Sequence, residues 1–242
     1  MSERNLLLAE LRERLWRTDP ARQRRRRAPL PLGIAELDAA LPWAGLASGG
    51  LHEVLGAAGD AAGFGFAAAL LARLPESDGR ILWCRGGPAA RAMGRPYGPG
   101  LARFGLAPER LILLETRRAQ EALWAMEEGL RCRRLAAVVG EGMEVAMKAS
   151  RRLQLAAEAG DTLGLLLSPP GRVSPSVALT RWRVTAAPAA CEEAVLGRSR
   201  WQVSLLRCRG GGQGEWLVEF DDEALCLVLA AELGDRPLAV AE

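Results

Sequence analysis

The chain has 242 residues and a net charge of +3; 49% of it is hydrophobic and 25% charged. That fits one large soluble α/β domain with appendages, or at most two domains. Its five cysteines (Cys84, Cys132, Cys191, Cys208 and Cys226) are odd in number and far apart with no C-x-x-C pair, and His52 is the only histidine, so neither a disulfide framework nor a metal site is expected. No secretory signal is evident, and the longest nearly apolar run, residues 61–72, is well short of the roughly 20 residues that cross a bilayer, so a cytoplasmic protein with reduced thiols is expected.

Residues 3–17 have the pattern of an amphipathic helix, with Leu7, Leu8, Leu11, Leu15 and Trp16 on one side and charges opposite. Pro20 stops it. Arg22 and residues 24–27 then form a basic run before Pro29 and Pro31, so residues 18–32 read as an exposed linker. The helix could fold back on its own domain or dock on a neighbouring chain. Lys148 is the only lysine among 32 basic residues; the joint richness in Ala, Gly, Arg and Pro explains this as compositional bias, so arginine count alone says little about nucleic acid.

From Leu32 onward, short apolar strands alternate with helices of about a dozen residues, the signature of a parallel-sheet α/β domain. The pattern predicts strands at 52–56, 80–85, 111–114, 135–139 and 162–167. Helices are predicted at 63–74, 99–104, 118–132 and 144–159. Parallel strands buried on both faces should be continuously apolar, and Leu-Ile-Leu-Leu, Leu-Ala-Ala-Val-Val and Leu-Gly-Leu-Leu-Leu are. After Pro169 and Pro170 the period becomes two, predicting antiparallel strands at 180–186, 201–209 and 215–220 with a hairpin loop at 210–214. Residues 225–231 form a further strand or a docking helix. The expected organisation is an N-terminal helix and basic linker (1–31), a core domain (32–222) and a C-terminal tail able to engage a partner (223–242).

Residues 52–70 read as strand, glycine-rich turn and helix start, the outline of a phosphate-binding P-loop. In G-x-x-x-x-G-K-[ST], backbone N–H groups cradle phosphates, the lysine neutralises them and the hydroxyl holds Mg²⁺. With Gly63 as the second glycine, Ala58 falls on the first, Phe64 on the lysine and Gly65 on the Ser/Thr. The cation that phosphoryl chemistry relies on is missing. Gly56, Gly59, Gly63, Phe64 and Gly65 therefore mark a degenerate nucleotide site: either a vestigial turn, or an anion cradle of N–H groups in which Asp60 is repulsive.

Three stretches carry a family resemblance. Leu32-Gly33-Ile34-Ala35-Glu36-Leu37-Asp38 ahead of Ser48-Gly-Gly-Leu-His-Glu-Val54 resembles the lead-in to a RecA core. The stretches Glu121-Ala-Leu-Trp-Ala-Met-Glu-Glu-Gly-Leu-Arg131 and Thr180-Arg-Trp-Arg-Val184 are similar to segments of ImuA proteins, RecA-related accessory factors of a bacterial DNA-damage-inducible (SOS) mutagenesis system. The resemblance covers roughly residues 28–220. It implies a RecA-like fold: a mostly parallel sheet with helices on both faces and an antiparallel extension on the C-terminal side. It also implies a non-catalytic role in error-prone translesion synthesis, with no cofactor, beside an ImuB-like inactive Y-family polymerase homologue, a DnaE2-type polymerase and RecA. Two positions agree with lost ATP hydrolysis. Gly140 stands where the strand at 135–139 should end in a metal-orienting acid, with Glu141 one position late, and Gln120 stands where the helix after the third strand should open with a glutamate base.

RecA-like loops that approach DNA would correspond to residues 140–144, which are acidic, and 168–176, which carry only Arg172. Arg181 and Arg183 flank Trp182, with Arg198, Arg200, Arg207 and Arg209 nearby, so a basic face with an interleaved aromatic is one reading. Arginines paired with Glu192, Glu193, Glu215 and Glu219 are the other. Candidate partner contacts are Leu11, Leu15, Trp16, Trp124 and Leu227, although Trp124, beside Ala122, Leu123 and Met126, also suits a core position. Two alternatives compete with an adaptor: a division inhibitor resembling SulA, and a DNA-dependent ATPase using a displaced lysine.

Overall fold

The computed structural model describes residues 27–57, 59–92, 94–168, 174–188 and 198–230. In chain order the elements are α1 (Ala35–Ala39), β1 (Leu51–Leu55), α2 (Ala62–Ala72), β2 (Arg80–Gly86), α3 (Gly87–Ala92), α4 (Gly98–Arg103), β3 (Leu111–Thr116), α5 (Ala119–Arg131) and β4 (Leu135–Glu141). There follow α6 (Met147–Gly160), β5 (Leu163–Ser168), β6 (Thr180–Ala186), β7 (Arg200–Cys208), β8 (Gly214–Asp221) and β9 (Cys226–Leu229). The strands form one sheet in the order β3-β2-β4-β5-β1-β6-β7-β8-β9. Pairing is parallel from β3 to β6 and antiparallel from β6 to β9. This is the mixed α/β architecture expected, and it is compatible with a RecA-like core.

The two faces are covered by different helices. Along β4, Ala137 and Val139 pack into the cluster that contains Phe66 and Leu70 of α2, while Val138 packs with Met126 and Leu130 of α5 and Leu153 of α6. Alternate residues of a buried strand serve opposite layers, so both must be apolar. The α2 face continues under the antiparallel strands as an aromatic cluster. Phe66 lies 6.2 Å from Trp182 and 6.3 Å from Trp201, and Phe104 lies 4.9 Å from Phe220, all within the range of favourable ring pairs.

The lead-in at Leu32–Asp38 has a structural explanation. The Asp38 carboxylate accepts the N–H of Leu32 at 2.7 Å and of Gly33 at 3.1 Å, so the spacing closes a loop whose Leu37 is buried. Gly33 has a φ of 89°, and the Arg73 guanidinium packs where its Cβ would be. Arg27, the end of the basic run, donates from its guanidinium to the Leu135 carbonyl at 2.7 Å rather than standing free.

One expectation changes. Helix α6 begins at Met147, not 144, because Gly142 (φ 73°) turns the chain, Val145 is buried and Ala146 is an extended N-cap. Of the two forms open to residues 225–231, the structure takes the strand, at 226–229: Asp221 accepts the Glu223 and Ala224 N–H groups in a turn, Leu225 adopts φ 50°, and β9 pairs with β8. Cys132 is exposed at the end of α5, whereas Cys84 is buried and desolvation pushes its pKa to about 12.

Candidate functional site

The turn after β1 is open and glycine-rich. A Cβ at Gly56 or Gly59 would meet nothing within 4 Å, and Gly59 uses a φ of 72°. A Cβ at Gly63 would lie 3.5 Å from Val54 and 3.6 Å from the Gly56 Cα, an ordinary contact with the start of the same turn. The N–H groups of Ala62, Phe64 and Gly65 are already engaged, however. One Asp60 carboxylate oxygen accepts the Ala62 N–H at 2.6 Å and the other accepts the Ala186 N–H at 2.6 Å. The N–H groups of Phe64 and Gly65 both donate to the Ala61 carbonyl at 3.0 Å. Asp60 precedes the N-cap residue Ala61, and its bond to the N–H two residues on closes an Asx turn that sets a carboxylate beside the helix N-terminus. The Ala186 bond also ties the turn to the end of β6.

Beyond the turn, at the carboxyl ends of the parallel strands, lies a cleft of about 840 Å³ lined by Phe64, Tyr97, Leu101, Phe104 and Trp201 among others. Phe64 is half-buried on its wall. A Cβ at Gly65 would fall 2.7 Å from Trp201 and 3.0 Å from Phe104, so the hydroxyl residue of an active P-loop does not fit there. The cleft's arginines have carboxylate partners: Arg198 with Asp221 at 2.9 Å, Arg200 with Glu219 at 2.7 Å, and Arg95 with Glu115.

Gly140 lies on the α5–α6 face, where a Cβ would strike Met126 at 2.7 Å and Met143 at 2.8 Å. Glu141, the last residue of β4, lies on the other face and lines the cleft. It is 1% exposed, accepts the Trp83 indole N–H at 2.7 Å and pairs with Arg85 at 2.7 Å. An acid therefore does stand at the end of β4, but it is locked in an ion pair. Gln120 is exposed on the first turn of α5 after edge strand β3; three strands separate β3 from β1, and the residue does not line the cleft. Lys148 is exposed on α6, on the sheet face opposite α2.

Two of the carboxylates near this end of the sheet titrate low. Glu115 is held below its ordinary value of 4.5, first by the hydrogen bond from Arg95 and then, against some burial, by Arg85. Asp221 is held below 3.8 by the Ala224 N–H and, against some desolvation, by the Glu223 N–H and Arg198. Both bind protons more weakly in the folded state than in the unfolded one, so the stability they contribute is present above about pH 4.5 and disappears as pH falls through the lowered native values. Urea midpoints should therefore drop between neutral pH and about pH 3, and Glu115→Gln should flatten that drop. An unchanged acid profile in that variant would contradict the assignment.

The DNA-contact candidates do not gather on one face. Arg181 is largely buried, pairs with Glu53 at 2.8 Å and donates to the Ser174 carbonyl at 2.7 Å. Trp182 points the other way, is fully buried against Phe66 and donates its indole N–H to Thr180 at 2.8 Å, so it is not available to stack on a base. Arg200 is buried in its Glu219 pair. Arg183 alone of these is exposed without a carboxylate partner among the described residues. Arg172 lies outside the described residues.

Of the partner candidates, Leu11, Leu15 and Trp16 lie outside the described residues. Leu227 is 2% exposed in the α2-face core, so burial in the sheet removes it from contact with a partner. Trp124 is 64% exposed. Ala122, Met126 and Leu130 face the sheet at a four-residue spacing, and Trp124 lies about 200° round from Ala122. Sequence reasoning missed its neighbourhood. β3 is a sheet edge with Ile112 and Leu113 each 43% exposed, although Leu-Ile-Leu-Leu reads as a doubly covered strand. Ile112 is in register with Leu82, which packs in the α5–α6 layer, so it belongs to the same side of the sheet as Trp124.

No family model matches the chain. Among curated proteins it is similar to Protein ImuA of Caulobacter vibrioides, from two strains, at 33% identity over 239 residues, spanning 89% of this chain and 96% of the relative. The chain belongs to the ImuA family. Among the described residues, no helix is long and apolar enough to cross a membrane.

Proposed function

We propose that this ImuA-family chain is a non-catalytic RecA-like adaptor in SOS-type error-prone translesion DNA synthesis. It docks an ImuB-like inactive Y-family polymerase homologue and works alongside a DnaE2-type polymerase and RecA. The observation that carries the reading is Asp60: its carboxylate occupies the helix N-terminus that would bind phosphate, beside Phe64 in the place of the lysine. Lost hydrolysis leaves binding as the use of the scaffold. The exposed Trp124 on α5, with the unpaired β3 edge, supports docking there, because aromatic anchors dominate interface energetics and free strand edges are sticky.

The test is association of the purified chain with the ImuB-like protein. Trp124→Ala should weaken binding by about 2 kcal/mol or more, the size of an interface hot spot, with an unchanged melting temperature because the ring is solvent-facing. Failure of the wild-type chain to bind the ImuB-like protein would remove the proposal, and wild-type affinity in the variant would remove this surface from it.

A further inference from the structure

A second cavity, of about 460 Å³, lies beyond the carboxyl ends of β2 and β3. Ligand crevices in open parallel sheets sit at this end of the strands. Its wall carries Arg85, Arg91, Arg95 and Arg117 against a single carboxylate, Glu115. Gly86 and Gly87 form part of the wall without side chains; a Cβ on Gly86 would meet Ala122 at 2.7 Å, and Gly87 turns out of the sheet with φ 87°.

The arginines divide by role. Arg85 is 3% exposed and fixed by Glu115 and Glu141, each at 2.7 Å. Its Nε is buried and has no hydrogen-bond partner, an uncommon state for a guanidinium donor. Arg95 shares Glu115 with it and is otherwise in solvent. Arg117 makes no side-chain hydrogen bond or ion pair among the described residues, and Arg91 offers only one donor, to the Arg117 carbonyl at 3.3 Å. Four guanidinium groups are thus matched by two carboxylates, Glu115 and the buried Glu141 behind Arg85, and two of the four have no anionic partner among the described residues. The wall already holds a carboxylate, and what it has left over is several donors arriving from separate turns. A dianionic or multi-oxygen group satisfies that better than a second carboxylate does.

We propose that this cavity binds a phosphate group, with Arg91 and Arg117 as its direct contacts and Arg85 and Arg95 as the fixed positive wall behind them. The phosphate can come from a nucleic-acid backbone or from a free phosphate ester. The two sources share the chemistry, and the experiment separates them. The site is independent of the adaptor reading, since docking a protein partner needs no anion here.

The probes are a fluorescein-labelled thymidylate oligonucleotide of about 20 residues, read by anisotropy, and inorganic pyrophosphate, read by calorimetry. Both are applied to the full chain. The Arg91→Gln/Arg117→Gln variant should bind the oligonucleotide at least tenfold more weakly, and its log-affinity against log-salt slope should fall by about 1.4, at about 0.7 per lost phosphate contact. Arg134→Gln, exposed at the amino end of β4 and so at the opposite end of the strands from the cavity, should change neither. Loss of pyrophosphate binding with no change for the oligonucleotide also supports the site and names a free phosphate ester as its ligand. Equal binding of both probes by wild type and variant overturns the proposal, as does binding of neither, or binding only of poly-glutamate. Because both arginines are exposed, the variant should keep the wild-type melting temperature; if it does not, single Arg117→Gln carries the same comparison.

Discussion

An Arg85→Met variant should lose about 3–5 kcal/mol of stability, the usual consequence of removing one partner from a buried ion pair. Arg85 is the hinge of the polar network inside the sheet. Its guanidinium pairs with Glu141, which is 1% exposed, and with Glu115, and it donates to the carbonyls of Ala90 and Gly94. Glu115 keeps Arg95 when Arg85 is gone, and it is close to solvent. Glu141 keeps only the Trp83 indole and is left as a buried charge. The cost therefore lies in stranded desolvation, not in the Coulomb attraction that is lost. If so, neutralising the stranded group should rescue the fold. Arg85→Met/Glu141→Gln retains an acceptor for Trp83 and should recover most of the loss in a urea titration. A single variant within about 1 kcal/mol of wild type would show that the pair is inert.

How far the sequence pattern reaches can be judged residue by residue. The strands around β4 and β5 are legible because burial on both faces forces an unbroken apolar run, and the predicted 180–186 strand matches β6 at both ends. Period-two alternation also separates Arg181 and Arg183 from Trp182. It does not say which face is covered. The aromatic face lies against α2, so the tryptophan is core. The partner of Arg181 is Glu53, 128 positions earlier, joined only because β1 and β6 become neighbours in the sheet. No local signal carries that. Arg200 was open to a glutamate partner, and the register selects Glu219. Asp60 shows the same limit. Sequence order makes it a repulsive charge inside a loop, whereas the fold turns it into an Asx-turn acceptor bonded to Ala186 across the chain. Trp124 was within reach: a four-residue phase through Ala122, Met126 and Leu130 puts it outward, and its apolar neighbours in sequence obscure this. For Ile112 and Leu113 the strand is legible but its place at the edge is not, because an edge exists only once the strand order is known.

Restoring the missing P-loop residues should not restore an ATPase. Phe64→Lys/Gly65→Thr returns the cation and the hydroxyl, yet two obstacles remain. A Cβ at position 65 falls 2.7 Å from Trp201, whose ring is held within 5.8 Å of Phe104 and 6.3 Å of Phe66, so it cannot simply move aside. Overpacking of this kind costs about 1–3 kcal/mol, and Gly65→Thr alone should show it as a lowered urea midpoint. The Asp60 carboxylate also stays on the Ala62 N–H, tethered at its far end by Ala186, and repels the triphosphate that the new lysine is meant to attract. Adding Asp60→Ala removes that charge but also its hydrogen bonds to Ala62 and Ala186, at about 1 kcal/mol each. Phosphate release measured with single-stranded DNA should stay at background for wild type and for every one of these variants. Steady release from the wild-type chain would reverse the adaptor reading outright. Release that appears only with Phe64→Lys would mean that the cleft still accepts a nucleotide and lacks nothing but its cation.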